Sequence, residues 1–287
     1  MKVSLTNARE AMHEATRLLR EARVPEPQAS AEVLLSELLG IRRGEIPFHK
    51  APLRDEQISD YRAMISRRLD REPVQRILGR AYFRNLELEL VEATLIPRPD
   101  TESVVEAALQ VIDRREGPCR VLDLGTGTGA IAISISQERP TCDVHASDIS
   151  EAALEAARHN ARKNCVTITL HRSDLGHGLA GLEGSVDVLV SNPPYIERET
   201  LAGLEPEVRD WDPSLALDGG LDGLGFYRRI FDEVKPLLKP TADVILEIGD
   251  GQAEDVVRLG EEAGFKPTDT YCDLAGSVRA VILKWGG

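Results

Sequence analysis

Apolar side chains in the first part of the chain recur at the three- and four-residue spacing of a helix face. The first such stripe carries Ala8, Ala11, Met12, Ala15, Leu18, Leu19 and Ala22, and Thr6 precedes it in the position of an N-cap. A second segment, ASAEVLLSELL, stops at Gly40, and a third carries Ile58, Tyr61, Ile65 and Leu69. This pattern predicts a small helical domain over residues 1–75.

The spacing then changes to the two-residue period of a half-buried strand. Leu86, Leu88 and Leu90 alternate with charged residues, which predicts a linker β-hairpin within residues 76–95. The segment IPRPDTE (Ile96–Glu102) follows as a loop punctuated by prolines and opens a larger domain over residues 96–287.

Strand and helix patterns alternate from Cys119 onward. The predicted strands are RVLDL, DVHASD, VTITLHRSD, VDVLVSN, ADVILEIG, TDTYCD and VRAVILKW. Helical patterns separate the first five, which indicates a parallel sheet covered on both faces. The last two strands are joined by only a few residues, so they must form an antiparallel hairpin. The predicted α/β fold is the Rossmann-like class I methyltransferase architecture, a seven-stranded, mostly parallel sheet with an antiparallel C-terminal hairpin.

Charge and composition exclude several classes of protein. The net charge is +2 over residues 1–90 and −15 over residues 91–287, which argues against a surface that grips long nucleic acids. No stretch has the length of a membrane span, and the N-terminal residues lack the apolar core of a signal peptide, so we expect a cytoplasmic protein. The scattered cysteines, Cys119, Cys142, Cys165 and Cys272, predict buried free thiols and no metal site.

A glycine-rich turn follows the first strand of the predicted sheet, in VLDLGTGTGAIAI (Val121–Ile133). Gly125, Gly127 and Gly129 let the backbone turn tightly and approach a ligand, and the next helix begins with free N–H groups. The GxGxG spacing differs from the GxGxxG of nicotinamide-dependent enzymes. Taken alone, this turn is compatible with a methyltransferase, with another nucleotide-binding protein or with a structural turn.

Acidic residues lie at the ends of the first three strands and make a nucleoside site the better interpretation. Asp148 closes the second strand, where a carboxylate can accept both hydroxyl groups of a ribose. Asp174 closes the third strand, where a carboxylate can accept from an adenine amino group, with Leu175 against the ring. A single aspartate of this kind is often only a helix cap, but three beside a glycine turn, counting Asp123, favour a cofactor site.

SNPPYI (Ser191–Ile196) follows the fourth strand and is the most specific motif in the chain. An amide nitrogen is a poor nucleophile, so an enzyme that methylates it must hold the –NH2 group with acceptors on both hydrogens. The Asn192 side-chain oxygen and the Pro193 carbonyl can be those acceptors, and Pro193 and Pro194 keep the segment extended. Tyr195 offers a flat face on which a planar amide or base can stack.

Together, GTGTG, Asp148 and NPPY resemble amino-methyltransferases that act on planar –NH2 groups. The whole chain resembles the bacterial release-factor glutamine methyltransferases, the HemK or PrmC family, over nearly all of residues 5–285. Segments outside the sheet that carry this resemblance are REPVQRILG (Arg71–Gly79), LIPRPDTE (Leu95–Glu102), DPSLALDGGLDGLGFYRRI (Asp212–Ile230) and LEIGDGQ (Leu246–Gln252). The chain departs from the family at Arg76, where many relatives carry an aromatic residue, and at Leu175, where some relatives have a tryptophan.

The resemblance implies S-adenosyl-L-methionine as cofactor and the glutamine of the Gly-Gly-Gln motif of class I peptide chain release factors as target. It implies that the donor is bound by Gly125, Thr126, Gly127, Thr128, Gly129, Asp148 and Asn192, with Asp174 and Leu175 near the adenine. Asn192, Pro193, Pro194 and Tyr195 are the implied catalytic residues, and Arg98 and Thr101 resemble part of a lid. The helical domain is expected to dock the release factor, with no stable nucleic-acid partner and no membrane.

Three alternatives remain at this point. An amino-methyltransferase for a nucleic-acid base, such as adenine N6 or guanine N2, would share both motifs but would need a basic groove for a flipped base. A glutamine of another protein, such as a ribosomal protein, would also fit. A binding scaffold without catalysis is expected to have lost some of the motif residues, and all of them are present.

Overall fold

The computed structural model describes residues 7–286, which group into two compact units. The helical unit runs to Gly79 and also includes Pro206–Trp211, and the sheet unit comprises Arg80–Glu205 together with the chain from Asp212 onward. The helices are α1 (Ala8–Glu21), α2 (Pro27–Leu39), α3 (Asp55–Leu69), α4 (Val74–Leu78), α5 (Thr101–Asp113), α6 (Ala130–Glu138), α7 (Glu151–Lys163), α8 (Pro206–Arg209), α9 (Gly225–Glu233) and α10 (Ala253–Glu262).

The strands are β1 (Arg80–Phe83), β2 (Leu86–Glu89), β3 (Arg120–Leu124), β4 (Asp143–Asp148), β5 (Thr169–Arg172), β6 (Val186–Ser191), β7 (Leu238–Glu247), β8 (Phe265–Cys272) and β9 (Val278–Trp285). Short 3₁₀ helices cover Arg43–Phe48, Arg198–Gly203, Ser214–Ala216 and Lys235–Leu237.

The helical unit has its own apolar core, built by the periodic stripes of α1, α2 and α3. The predicted cap Thr6 lies outside the described residues; helix α1 begins one residue after Asn7, whose Oδ1 accepts a hydrogen bond from Glu10 N at 3.0 Å. Helix α2 ends before Gly40, which has the left-handed backbone conformation that the sequence indicated.

The sheet has seven strands in the order β5-β4-β3-β6-β7-β9-β8, and its antiparallel pairs are β7–β9 and β8–β9. This confirms the predicted class I methyltransferase architecture. Alternate residues of each buried strand face opposite layers: Val190 and Ile245 pack into the core beneath α5, while Leu189 and Leu246 pack toward α9 and α10. The β1–β2 hairpin buries Phe83, Leu86 and Leu88 in the α5-side core.

The cysteines differ in exposure from what the sequence predicted. The four cysteines are free, but only Cys119 is fully buried; the prediction of buried thiols is wrong for Cys165 and Cys272, which are exposed. Cys165 lies in the turn after α7, and Cys272 ends the edge strand β8, so neither faces a core. In the described part of the chain, no helix combines the length and the apolar character required to span a membrane.

Candidate active site

The parallel strands β3, β4, β5 and β6 end at one edge of the sheet, where a cavity of about 370 Å³ opens. Ligand sites of α/β sheets form at this edge, outside the carboxyl ends of the strands. The cavity is lined by residues of the glycine turn, of the segments after β4, β5 and β6, and of the loop that precedes α5. The predicted site residues among them are Gly125, Thr126, Gly127, Thr128, Asp148, Asp174, Leu175, Asn192, Pro193 and Pro194.

The glycine turn brings backbone N–H groups to the cavity because its three glycines all have backbone angles that favour glycine. Gly127 has φ +55° and open space where a side chain would begin. Gly129 has φ +86°, lies outside the lining and packs so closely that a Cβ atom would come within 3.2 Å of Ala157 on α7. Gly127 thus faces the ligand space, whereas Gly129 allows α6 to approach α7.

The carboxyl group of Asp123 is fully buried beneath this turn. Its Oδ2 atom accepts from the Thr126 hydroxyl at 2.5 Å and from the Ala132 amide at 3.2 Å. Burial raises the pKa of Asp123 to about 7, and the two hydrogen bonds offset that rise only in part. Asp123 therefore acts on the site through the turn, because it connects Thr126 in the turn to Ala132 in the first part of α6.

Asp148 lies at the end of β4 with both carboxylate oxygens directed at backbone amides. Oδ2 accepts from Gly127 N and Oδ1 from Ser150 N, each at 2.9 Å. Each oxygen keeps a second lone pair, so the same carboxylate can also accept hydroxyl groups of a ribose in the cavity. The sequence placed Asp148 beside the ligand, and the structure adds that it connects the loops after β3 and β4.

Asp174 and Leu175 line the cavity after β5. The exposed Asp174 forms an ion pair with Arg229 of α9, with Oδ1 2.9 Å from Nη2. Leu175 has φ +50°, an uncommon conformation for a residue of this kind, and its side chain is half-buried. Arg229, which also lines the cavity, was not identified from the sequence.

S-adenosylmethionine, which the resemblance implies, fits the residues that line this cavity. Ser147 and Ser173 line the cavity, and their buried hydroxyl oxygens have no hydrogen-bond partner among the described residues. Buried hydroxyl groups are rarely left without partners, so a polar ligand is expected to satisfy them. No group of three potential metal ligands occurs within residues 7–286.

The Asn192 side chain is hydrogen-bonded through its nitrogen and not through its oxygen. Its Nδ2 atom donates to the Thr101 hydroxyl at 3.1 Å, which leaves Oδ1 as an acceptor. The Pro193 carbonyl accepts no hydrogen bond from any described residue. Both residues and Pro194 line the cavity. Two free acceptors are therefore present at one wall of the ligand space.

Tyr195 differs from the other NPPY residues because it is not part of the cavity wall. Its ring packs against the core on the α9 side of the sheet, and burial raises the pKa of its hydroxyl. Its carbonyl accepts from the Gln252 side chain at 3.0 Å. A Cβ atom on Gly219 or Gly223 would lie under 3.0 Å from the Tyr195 backbone. This close packing fixes the loop; stacking of the ring on a substrate stays a prediction.

The segment before α5 is tied across the cavity to the chain beyond the NPPY motif. Arg98 forms an ion pair with the buried Asp212 at 2.6 Å, and the other Asp212 oxygen accepts from Ile96 N at 3.3 Å. Arg98 and Thr101 line the cavity, as do Pro213 and Leu215. This arrangement is compatible with the lid that the resemblance implies.

Glu247 was not identified as a site residue from the sequence. The signal that could have indicated it is its position as the charged residue at the end of the apolar run VILE. Its side chain is 1% exposed at the end of β7. Burial raises the pKa of this carboxyl to about 7. The Thr101 and Tyr195 hydroxyls and the nearby charge of Arg279 lower the pKa and so offset part of that rise. Its Oε2 atom has no partner among the described residues.

Two family models match the chain, one described as "PrmC N-terminal domain" over residues 10–79 and one as "Methyltransferase small domain" over residues 105–203. A release factor glutamine methyltransferase of Streptomyces coelicolor is 40% identical over 94% of this chain and 95% of its own length. Its namesake from Rhodospirillum rubrum is 40% identical over 93% of this chain and 81% of its own length.

Among solved structures, a methyltransferase from Pyrococcus furiosus has a TM-score of 0.51 and 20% identity, covering 80% of this chain and 100% of that one. The catalytic domain of hMettl16, solved with the MAT2A 3′UTR hairpin 6, has a TM-score of 0.53 and 15% identity, covering 81% and 82%. At these identities the likeness concerns the fold alone. The sequence relatives go further, because they span both matched domains: this chain belongs to the release factor glutamine methyltransferase family and is an S-adenosylmethionine-dependent methyltransferase.

Proposed function

We propose that this enzyme methylates the side-chain amide nitrogen, N5, of the glutamine in the Gly-Gly-Gln motif of class I peptide chain release factors. The products are N5-methylglutamine and S-adenosylhomocysteine, and the reaction takes place in the cytoplasm, where translation ends. Sequence identity of about 40% over nearly the whole chain supports this target. The observation that carries the chemistry is the Asn192 carboxamide, whose nitrogen is engaged by Thr101 and whose oxygen is available.

The chain's residues contribute binding and orientation. Bound S-adenosylmethionine supplies an electrophilic methyl group on a sulfonium, so no acid is needed to activate it. The Asn192 Oδ1 atom and the Pro193 carbonyl accept the two amide hydrogens, which holds the nitrogen in place and stabilises the positive charge that develops there. A carbon–sulfur bond breaks as the carbon–nitrogen bond forms, and the nitrogen then releases one proton, which is acidic enough to need no strong base.

The proposed donor site follows the cavity wall. Gly125, Thr126, Gly127 and Thr128 surround the donor at the turn, Asp148 accepts the ribose hydroxyls, and Asp174 with Leu175 borders the adenine. Gly129 contributes through the packing of α6 on α7 and lies outside the lining. Asn192, Pro193 and Pro194 present the target amide to the methyl group, and Tyr195 holds the loop that carries them.

Direct methylation assays test this function. We expect labelled methyl from S-adenosylmethionine to appear on one glutamine of a folded class I release factor, identified by mass mapping of its peptides. The matched control is the same factor with that glutamine replaced by alanine, which we expect to stay unlabelled. Duplex DNA and naked ribosomal RNA are also expected to stay unlabelled; label on either one, with none on the release factor, would move the enzyme to the nucleic-acid class.

We further propose that the helical domain, residues 1–75, docks the release factor. It has a separate apolar core, and none of its residues from 7 onward lines the cavity. The segment Pro206–Trp211, which lies downstream of the NPPY motif, belongs to this helical unit, where Glu207 forms ion pairs with Arg68 and Arg71 at 2.9 and 2.6 Å. The loop that carries the acceptors is therefore continuous in sequence with the proposed docking unit.

This docking role predicts a preference for folded substrate. We expect kcat/KM for a folded release factor to exceed that for a short Gly-Gly-Gln peptide by at least about 100-fold, because docking adds binding energy that the peptide lacks. Initial rates over a range of concentrations measure both values. Equal kcat/KM for the two substrates would contradict a docking function while leaving the chemistry of the site unaffected.

A further inference from the structure

We propose that Thr101 and Glu247 are positioning residues that determine which end of the Asn192 carboxamide faces the substrate. This inference rests on the proposed function, in which the oxygen of Asn192 must meet the target –NH2 group. The two ends of a carboxamide are nearly equal in size but opposite in hydrogen bonding, so a flip would point a donor at another donor. Only a defined partner for the nitrogen can prevent that flip.

Thr101 is such a partner only if its own proton points elsewhere. The Thr101 oxygen accepts from Asn192 Nδ2 at 3.1 Å, and a hydroxyl has a single proton to donate. The Thr101 hydroxyl also lies beside the Glu247 carboxyl and lowers the pKa of that carboxyl. An ionised carboxylate can only accept, so it takes the Thr101 proton and leaves the Thr101 lone pairs for Asn192.

The fold brings these three side chains to one face of the sheet. Asn192 lies two residues beyond Val190, and Glu247 lies two residues beyond Ile245; both apolar residues pack into the core beneath α5. The period of a strand therefore directs Asn192 and Glu247 to the same side. Thr101 is the first residue of α5 and is itself 5% exposed.

The carboxyl of Glu247 lies in surroundings that allow both protonation states near neutral pH. The groups that face it are Asp100 just before α5, Thr101 of α5, Tyr195 after β6, Tyr227 of α9 and Arg279 of β9. The Tyr195 hydroxyl also lowers the pKa of this carboxyl, and Tyr227 donates to the Glu247 backbone carbonyl at 2.8 Å. Above a pH of about 7 the carboxylate accepts from Thr101. Below it, the protonated acid can donate to Thr101 instead, which reverses the direction of the hydrogen bonds from Thr101 onward to Asn192.

Two substitutions of nearly equal size separate positioning from packing. Thr101→Val removes the hydroxyl and keeps the shape, whereas Thr101→Ser keeps the hydroxyl and removes one methyl group. On a folded release factor we expect Thr101→Val to lower kcat at least about tenfold with KM for the factor within about threefold of wild type, and Thr101→Ser to stay within about threefold in both. A purely structural role of the methyl group predicts the opposite order.

A second variant tests Glu247, the other proposed positioning residue. Glu247→Gln can donate to Thr101 at every pH, so we expect a lowered kcat that no longer changes as Glu247 titrates. In the wild-type enzyme we expect that titration to make kcat fall as the pH drops through about 7. An unchanged kcat and pH profile in Glu247→Gln would overturn the role of Glu247.

A readout without substrate keeps this inference distinguishable from the proposed function. In the ¹⁵N-labelled full chain, the Asn192 side-chain NH2 signals, assigned by their loss in Asn192→Ala, are expected to exchange slowly with water in wild type and Thr101→Ser, and at least about tenfold faster in Thr101→Val. If these exchange rates were found but the wild-type enzyme did not methylate release factors, the positioning role of Thr101 and Glu247 would stand and the proposed target would be rejected. Equal exchange and equal kcat in Thr101→Val and wild type would overturn the inference.

Discussion

Replacing Asn192 with alanine is expected to lower kcat on a folded release factor by roughly 1,000-fold, a loss of about 4 kcal/mol of transition-state stabilisation. The substitution removes the side-chain oxygen that accepts one amide hydrogen and leaves the Pro193 carbonyl as the remaining acceptor of the pair. It also leaves the Thr101 hydroxyl without the Asn192 donor. Binding of the donor is expected to change less, because the glycine turn and Asp148 are untouched.

Single-turnover methylation and calorimetric binding of S-adenosylhomocysteine separate the two effects of Asn192→Ala. The matched control is Asn164→Ala, because Asn164 also uses both ends of its carboxamide, accepting from Glu87 N and donating to Glu87 O, but lies outside the cavity lining. We expect that control to retain kcat within about threefold. A rate near that of wild type in Asn192→Ala would remove the two-acceptor mechanism.

Replacing Asp148 with alanine is expected to weaken the binding of S-adenosylhomocysteine by about 100-fold. The Asp148 carboxylate holds the amides of Gly127 and Ser150, so its loss removes the ribose acceptor and also loosens the two loops that bound the cavity. Calorimetric titration of the purified variant measures the dissociation constant, and circular dichroism checks that the sheet has formed.

Asp174→Ala serves as the comparison for Asp148→Ala, since both remove a carboxylate from the same cavity. Asp174 is exposed, is paired with Arg229 and holds no backbone amide of the turn, so we expect its loss to weaken binding only about fivefold. If the two variants bound the ligand equally well, Asp148 would have no special part in holding the ribose.

The sequence was sufficient to predict the sheet and the location of the site. Glycine spacing, acidic strand ends and NPPY mark the ends of successive strands, and parallel strands place those ends at one edge. The short link before β9 required an antiparallel hairpin, which is present. These are consequences of local pattern and chain connectivity, so a single sequence contains them.

Contacts between residues distant in sequence could not be predicted in the same way. The pattern NPPY gives no indication that the Tyr195 ring packs toward the core, because that orientation depends on Gly219, Gly223 and Gln252 downstream. The partnership of Asn192 with Thr101 depends on where α5 begins relative to β6. Nothing local to β7 signals that the carboxyl of Glu247 lies beside that threonine.

The acceptor pair at Asn192 and Pro193 is tested most directly by a crystal structure of the enzyme bound to S-adenosylhomocysteine and to its methylated release factor. We expect the nitrogen of the modified glutamine to lie within about 3.2 Å of Asn192 Oδ1 or the Pro193 carbonyl, with its methyl group directed at the sulfur. A glutamine nitrogen that contacts neither oxygen, with the Asn192 carboxamide facing away from the sulfur, would contradict the mechanism.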